Sequence, residues 1–363
     1  MAHSDRKSEL EFCHFIRRKI AAGVKLNKRD TEKFATDFGI FDKNAVKEMC
    51  ELAIVFQARE LAHGTGSLRE RYHAIVGLYR SQVNLSHRTS QSVMLQQYST
   101  PAPIAFLAGS FVNTSLPNSY YFEPSAGNGL LTVGLPDNRV IVNEIDDLRS
   151  KNLSSQFFLK QLRLDATEDF GHFDYDKFFD GIITNPPFGK LDKTLTFGGF
   201  HINTLDHVMA IRALDCMKDG GRAAIIIGGH TEWDSEGRIR AGKNRIFFSY
   251  LYRHYHASDI INIDGDLYSR QGTSFDVRLI LINGRKSNPG GYPPLKDTDD
   301  TAVKDFETLY RRVTAVIPKD EKTASQHSQS SHSSQSSPDK RLRIVKAKAL
   351  AKIKMLELLK KSA

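Results

Sequence analysis

Short apolar runs alternate with helical patterns of apolar residues between about positions 94 and 285. The runs have the length and composition of buried strands, and they cover 119–122, 139–142, 161–164, 181–184, 222–228, 260–264 and 277–283. Helical spacing lies between most of them, notably over 203–217 and 243–256. This alternation predicts an α/β fold with a doubly wound, mostly parallel sheet. Only a short turn-rich link joins the last two runs, which predicts an antiparallel pair at the sheet edge.

The segment before this domain, residues 1–93, has a helical pattern from about residue 5 to residue 90. One helix is marked by Leu10, Phe12, Phe15, Ile16 and Ile20, and a second covers 44–62. Ser67 with Glu70 three residues later forms a capping box that opens a third helix, which runs to about residue 85. We find no chemistry in this region and expect it to be a helical cap or lid on the next domain.

The chain after residue 285 changes composition twice. Residues 286–324 form a C-terminal extension with a Pro/Gly-containing stretch and a short helical pattern near 305–313. Residues 325–340 are mostly Ser, Gln and His, a composition typical of a disordered linker. Residues 341–363 have the pattern of a basic amphipathic helix, with eight Lys or Arg against Glu357. This tail holds +7 of the net charge of +9, so the high pI is mainly a property of the tail.

Composition sets limits on the rest. A length of 363 residues with 40% hydrophobic content allows one large or two ordinary domains with a proper core. No apolar run approaches the ~18–20 residues of a membrane span, and no signal-peptide core follows the N-terminus. The cysteines, Cys13, Cys50 and Cys216, have no paired spacing and suit neither a disulfide framework nor a zinc site. We therefore expect reduced thiols, a cytoplasmic location and no metal.

A glycine-bearing turn, Glu-Pro-Ser-Ala-Gly-Asn-Gly, follows the first predicted strand at residues 123–129. Gly127 and Gly129 let the backbone turn tightly and approach a ligand closely. A nicotinamide-binding motif would have a third glycine where this chain has Thr132. The turn alone is thus a weak signal.

Carboxylates end the next two predicted strands. Glu144 comes 15 residues after Gly129, where a carboxylate can accept both hydroxyls of a ribose. Asp165 ends the third run and can accept from the amino group of an adenine, while the neighbouring backbone N–H contacts the ring.

The fourth strand is followed by Asn185, Pro186, Pro187 and Phe188, which we call the Asn-Pro-Pro-Phe motif. The prolines fix φ and remove two backbone donors, so the carbonyls of Asn185 and Pro186 can point at the N–H groups of a ligand. The Asn185 side-chain oxygen adds an acceptor, and Phe188 offers a face on which a base could stack. The motif suits an exocyclic amine on a planar ring, although Asn-Pro alone is also a turn signal.

In this order at four successive strand ends, these elements resemble the S-adenosylmethionine-dependent DNA methyltransferases that act on the N6 amine of adenine. Residues 97–105, Gln-Tyr-Ser-Thr-Pro-Ala-Pro-Ile-Ala, resemble the segment that precedes the fold in the gamma-ordered subgroup and in type I restriction modification subunits. The resemblance covers about residues 94–285 and implies a Rossmann-like class I methyltransferase fold. It implies that Asn185, Pro186, Pro187 and Phe188 are catalytic. It further implies cofactor binding by Tyr98, Thr100, Pro101, Glu123, Pro124, Ser125, Ala126, Gly127, Gly129, Glu144, Ile145, Asp165, Ala166 and Asn185.

The resemblance also implies a substrate. Asn rather than Ser at 185 favours adenine over cytosine targets, and in duplex DNA the adenine must be flipped out of the stack. The same chemistry on RNA or on a protein glutamine, or a non-catalytic subunit of a modification or anti-restriction assembly, remains open. Residues 286–363 lack a sizeable recognition domain, which predicts low sequence specificity or specificity supplied by a partner.

Basic residues near the expected cleft are candidates for phosphate contacts. We place Lys190 and Lys193 in a loop after the motif and expect phosphate contacts also from Arg238, Arg240, Lys243 and Arg245. His201 and His230 could reach the target but are more simply solvated or structural. Three interpretations of the basic tail stay open: a solvated helix with no partner, a DNA contact and, nearly as plausible as the DNA contact, a docking helix for another protein.

Overall fold

A computed structural model describes residues 5–82, 99–229, 231–271, 275–296 and 301–318. Its helices are α1 Arg6–Ala21, α2 Lys28–Asp37, α3 Lys43–Ala62, α4 Leu68–Ser81, α5 Ala102–Val112, α6 Asp147–Leu153, α7 Leu205–Asp215, α8 Lys243–His254 and α9 Phe306–Val316. Its strands are β1 Tyr121–Glu123, β2 Val140–Asn143, β3 Lys160–Leu162, β4 Phe179–Thr184, β5 Lys190–Phe197, β6 Phe200–Thr204, β7 Met217–Gly228, β8 Tyr255–Ile263 and β9 Val277–Arg285.

The main sheet has the strand order β3-β2-β1-β4-β7-β9-β8. All neighbouring pairs from β3 to β7 are parallel, and β9 lies antiparallel between β7 and β8. The predicted α/β class with a mostly parallel, doubly wound sheet is confirmed, as is the antiparallel pair at the edge. Strand order reverses between β1 and β4, and ligands of such sheets bind at the carboxyl ends beside that point.

A hairpin of β5 and β6 takes the place of the loop that we predicted after the Asn-Pro-Pro-Phe motif. The two strands pair antiparallel in a separate two-stranded sheet. Gly198 and Gly199 join them, both with positive φ, as a two-residue hairpin turn of the primed type requires. The prediction was wrong because most side chains of β5 are exposed, so its sequence lacks the apolar run that marks a buried strand.

The N-terminal helices and the sheet share one hydrophobic core. Helix α3 is buried along most of its length, and Met49 and Leu52 of α3 belong to the same core cluster as Val142 and Ile183 of the sheet. Arg59 of α3 donates to Thr132 Oγ1 at 3.0 Å, beyond the glycine turn. The capping box of Ser67 and Glu70 is present and opens α4, which ends at Ser81 rather than near residue 85. An additional helix, α2, lies between the first two predicted ones.

Part of the C-terminal extension also packs on this body. Leu309 and Val313 of α9 are fully buried, and Arg312 makes two hydrogen bonds of 2.8 Å to Asp259 of β8. Tyr72 of α4 donates to the carbonyl of Phe306 at 2.7 Å. The short helix predicted near 305–313 is therefore present and forms part of the core.

We expect Tyr72→Phe to lower the free energy of unfolding by about 1 kcal/mol, because it removes a buried hydrogen bond and leaves the Phe306 carbonyl without this donor. Tyr310→Phe is the matched control, since its ring packs 5.0 Å from that of Tyr72 but no hydrogen bond of its hydroxyl is seen within the described residues. Urea denaturation of both variants measures the difference. Equal stability losses would contradict this role of the Tyr72 hydroxyl.

Three further expectations concern the rest of the chain. The predicted linker 325–340 and basic helix 341–363 lie outside the described residues. All three cysteines are buried free thiols, and burial raises the pKa of each, that of Cys13 to about 12. None of the helices in the described ranges has the length and apolar character needed to cross a bilayer.

Candidate functional site

A cavity opens at the carboxyl edge of the sheet, where the strand order reverses. It brings together most of the residues proposed from sequence for the cofactor and the reaction. Those that line it are Thr100, Pro124, Ser125, Ala126, Gly127, Glu144, Ile145, Asp165, Ala166, Asn185, Pro186, Pro187 and Phe188. Among these residues, Thr100 and Phe188 are the farthest apart in the chain, at 88 positions.

Glu144 links two backbone segments beside the cavity. Its Oε2 accepts from Gly127 N at 2.7 Å, and its Oε1 accepts from Asp146 N at 2.8 Å. Each carboxylate oxygen can accept a second bond, so the side chain keeps capacity for ligand hydroxyls. Burial raises the pKa of Glu144, against the effect of these N–H donors and of Arg149. A Cβ added to Gly127 would meet no protein atom within 4 Å, so the turn leaves open space for a ligand.

The segments that follow β2 and β3 also line the cavity. Asp165 Oδ1 accepts from the backbone N and the hydroxyl of Thr167, at 2.9 and 2.8 Å, which holds the carboxylate in place. Ile145 is 62% exposed although it is apolar, and it lines the cavity. An exposed aliphatic side chain and a fixed carboxylate in one cavity suit a flat ring with an amino group at its edge.

The Asn-Pro-Pro-Phe motif follows β4 directly. Asn185 Nδ2 donates to Thr100 Oγ1 at 2.9 Å, and Thr100 is buried at the start of α5. This bond fixes the orientation of the side-chain amide. The Phe188 ring packs on Gly228, where an added Cβ would lie 3.1 Å from it. Acceptor and ring are thus held rigidly at one end of the cavity.

Other proposed cofactor residues have different places. Pro101 caps the N-terminus of α5, and Gly129 opens a short 3-10 helix; neither lines the cavity. Glu123 is also absent from the lining: its Oε1 accepts from Ser125 N and Oγ, so it braces the turn from beneath. Burial raises the pKa of Glu123 to about 8. Tyr98 lies outside the described residues.

Most of the basic candidates for phosphate contact are already paired. Arg238 and Arg245 form ion pairs with Asp234, and Arg240 pairs with Glu232. Ion pairs of Arg238 and Arg240 are exposed and so add little stability, which leaves these side chains able to exchange partners. Lys193 also pairs, with Glu168 at 3.7 Å, and Lys190, Lys193 and Lys243 are exposed, the first two on β5 rather than in a loop.

Of the two candidate histidines, His201 does not line the cavity. The His201 Nδ1 lies 3.0 Å from the Thr196 hydroxyl in the exposed β5–β6 hairpin. His230 lies outside the described residues.

Sequence reasoning missed a contribution from the N-terminal helices. Glu51 of α3, only 2% exposed, lines the cavity together with Ser99 and Arg149. Leu205 and Met209 of α7 supply apolar lining. The available signal was a pair of acidic residues, Glu48 and Glu51, three positions apart within the mostly apolar stretch 45–58 of α3.

The sequence of the chain matches no protein-family model and no curated protein. Similar solved structures include a protein described as a class I S-adenosylmethionine-dependent methyltransferase from Listeria monocytogenes, at 12% identity and a TM-score of 0.43, covering 86% of this chain and 98% of that one. Another is the type I restriction-modification methyltransferase subunit from Streptococcus thermophilus, at 13% identity and a TM-score of 0.45. The match covers 85% of this chain and 74% of that one. A third is the M protein of the type I restriction enzyme EcoKI, at 14% identity and a TM-score of 0.42. The match covers 84% of this chain and 75% of that one. All three TM-scores are below 0.5 and all three identities are below 15%.

Proposed function

We propose that this protein transfers a methyl group from S-adenosylmethionine to the N6 amine of adenine in DNA. The observation that carries the proposal is a single cavity that joins the glycine turn, the carboxylates of Glu144 and Asp165, and the Asn-Pro-Pro-Phe motif. In this proposal the two carboxylates bind a nucleoside and the Asn-Pro-Pro-Phe motif binds an amine. Both groups lie at the carboxyl edge of the sheet, beside the reversal of strand order between β1 and β4.

The residues present fit this cofactor. Glu144 can accept from ribose hydroxyls, and Asp165 can accept from the adenine amino group. The open space above Gly127 admits the chain that links the nucleoside to the amino-acid end. When bound, S-adenosylmethionine supplies a methyl group activated by a sulfonium charge.

The Asn-Pro-Pro-Phe motif supplies the other half of the reaction. An aromatic amine is a poor nucleophile because its lone pair is delocalised into the ring. Acceptance of its N–H protons by Asn185 Oδ1 and the Pro186 carbonyl favours a tetrahedral nitrogen with a localised lone pair. Phe188 stacks on the flipped base and takes the place of the neighbouring bases of the duplex. Positioning of the base and electrostatic stabilisation of the developing charge thus accelerate methyl transfer.

DNA is the substrate that we favour over RNA and over a protein glutamine. Phe188 presents an aromatic face that an aliphatic amide would not need, and the chain carries a basic tail. Mass spectrometry of nucleosides from the DNA and RNA of an expressing host separates these substrates. We expect N6-methyladenine in DNA only; methylation confined to RNA, or to neither nucleic acid, would contradict the proposal.

Thr100→Val should lower kcat by roughly 3- to 10-fold, the scale of one neutral hydrogen bond, and leave cofactor affinity within about twofold. The change keeps the side-chain shape but removes the acceptor that orients Asn185 Nδ2. Steady-state kinetics with DNA, together with calorimetry for the cofactor, measures both effects. A large loss of cofactor affinity with unchanged kcat would show that Thr100 acts on the cofactor instead.

A further inference from the structure

Helix α3 carries a buried carboxylate to the cavity. Glu48 and Glu51 are three positions apart and therefore share one face of the helix. Glu48 Oε2 accepts from Asn128 Nδ2 of the glycine turn at 2.6 Å, and Asn128 is 1% exposed. This bond fixes α3 against the turn and places Glu51 beside the same ligand space.

The guanidinium of Arg149 pairs with Glu48 and not with Glu51 in the described part of the chain. Arg149 Nε lies 3.1 Å from Glu48 Oε2, and no ion pair of Glu51 within 4 Å is found in the described ranges. Lys47 makes no ion pair in the described ranges either, although its positive charge lowers the pKa of both carboxyl groups. Against the effect of burial, Arg149 and Asn128 lower the pKa of Glu48, whereas burial and the Glu48 charge raise the pKa of Glu51. The charge of Glu48 is thus balanced by an ion pair within the protein, whereas Glu51 has no ion pair in the described part of the chain.

Glu51 has one hydrogen bond within the described part of the chain, which its Oε1 accepts from the Ser99 hydroxyl. Its other oxygen, Oε2, has no partner there, and the side chain is 2% exposed and lines the cavity. Burying an unpaired carboxylate is costly, so a cationic ligand group with N–H donors would be bound strongly at this position.

The position of Glu51 identifies that group. Glu51 accepts from Ser99, whose neighbour Thr100 binds Asn185, so Glu51 lies on the side of the cavity that carries the Asn-Pro-Pro-Phe motif. With the nucleoside at Glu144 and Asp165, the amino-acid end of the cofactor is directed here. We propose that Glu51 binds the α-ammonium group of S-adenosylmethionine, so that the N-terminal helices form part of the cofactor site; this inference rests on the proposed function.

Calorimetry on the full chain tests it with two ligands: S-adenosylhomocysteine and its analogue lacking the α-amino group. Glu51→Gln keeps the shape and the Ser99 contact but removes the charge. We expect it to weaken S-adenosylhomocysteine binding by roughly tenfold or more, within the range for charge-assisted bonds, and to leave the affinity for the analogue unchanged. Glu60→Gln, an exposed change on the same helix at the Arg17 ion pair, should alter neither affinity.

A second readout separates ligand binding from structure. Ligand-free Glu51→Gln should unfold at the same or a higher temperature than the native chain, because it removes repulsion between Glu48 and Glu51. Equal losses for both ligands, no loss for either, or a lower ligand-free unfolding temperature would overturn the inference. If the native chain bound neither ligand, the proposed function itself would fail, which is a distinct outcome.

Discussion

Asn185→Ala should reduce methyl transfer to adenine by about 10²- to 10³-fold, the scale seen when one preorganised polar group is removed from an active site. The amide acts on the nitrogen as its charge develops, so its loss appears in kcat rather than in ground-state binding. Truncation also leaves the buried Thr100 hydroxyl without its Asn185 partner. Single-turnover assays with excess enzyme measure the chemical step directly.

Cofactor affinity serves as the control for this variant. Asn185 lines the cavity, but the nucleoside contacts that we assign are made by Glu144 and Asp165. Binding of S-adenosylhomocysteine should therefore stay within a few-fold of the native value. Near-normal turnover in Asn185→Ala would contradict the mechanism, whatever the cofactor affinity.

Glu144→Ala should weaken cofactor binding by roughly 1.5–3 kcal/mol, the range for charge-assisted hydrogen bonds, or about 10- to 150-fold in Kd. The change removes the acceptor for ribose hydroxyls and also releases Gly127 N and Asp146 N, which the carboxylate now holds. Both effects loosen the nucleoside end of the cavity.

Asp147→Ala is the matched control for Glu144→Ala. Asp147 is close in sequence and equally acidic, but its side chain is 79% exposed, pairs with Arg163 and does not line the cavity. Calorimetry should find its Kd for S-adenosylhomocysteine unchanged. An equal Kd for Glu144→Ala and the native chain would refute the cofactor assignment.

The strands and their chemistry were predictable because both signals are local. The parallel strands other than β3 contain apolar runs, and each functional segment comes soon after a strand. The order of Gly127, Glu144, Asp165 and Asn185 along the chain therefore predicted their meeting at one sheet edge. Strand β5 contains mostly polar, exposed residues and no apolar run. For this reason the sequence did not predict the hairpin of β5 and β6.

Contacts between distant segments could not be predicted in the same way. The bond between Thr100 and Asn185 joins residues 85 positions apart, and the one between Glu48 and Asn128 joins residues 80 apart. Helical spacing indicates which face of α3 is buried but not which element covers it. For this reason the N-terminal region was interpreted as a lid without chemistry, although Glu51 reaches the cavity.

Transfer of an isotopically labelled methyl group from S-adenosylmethionine to duplex DNA by the purified chain tests the proposed activity most directly. The DNA is then digested and its nucleosides are analysed by mass spectrometry. We predict labelled N6-methyladenine with the native chain and none above background with Asn185→Ala. Label on another nucleoside, equal labelling by both proteins, or no labelling by a native chain that binds the cofactor would contradict the assignment.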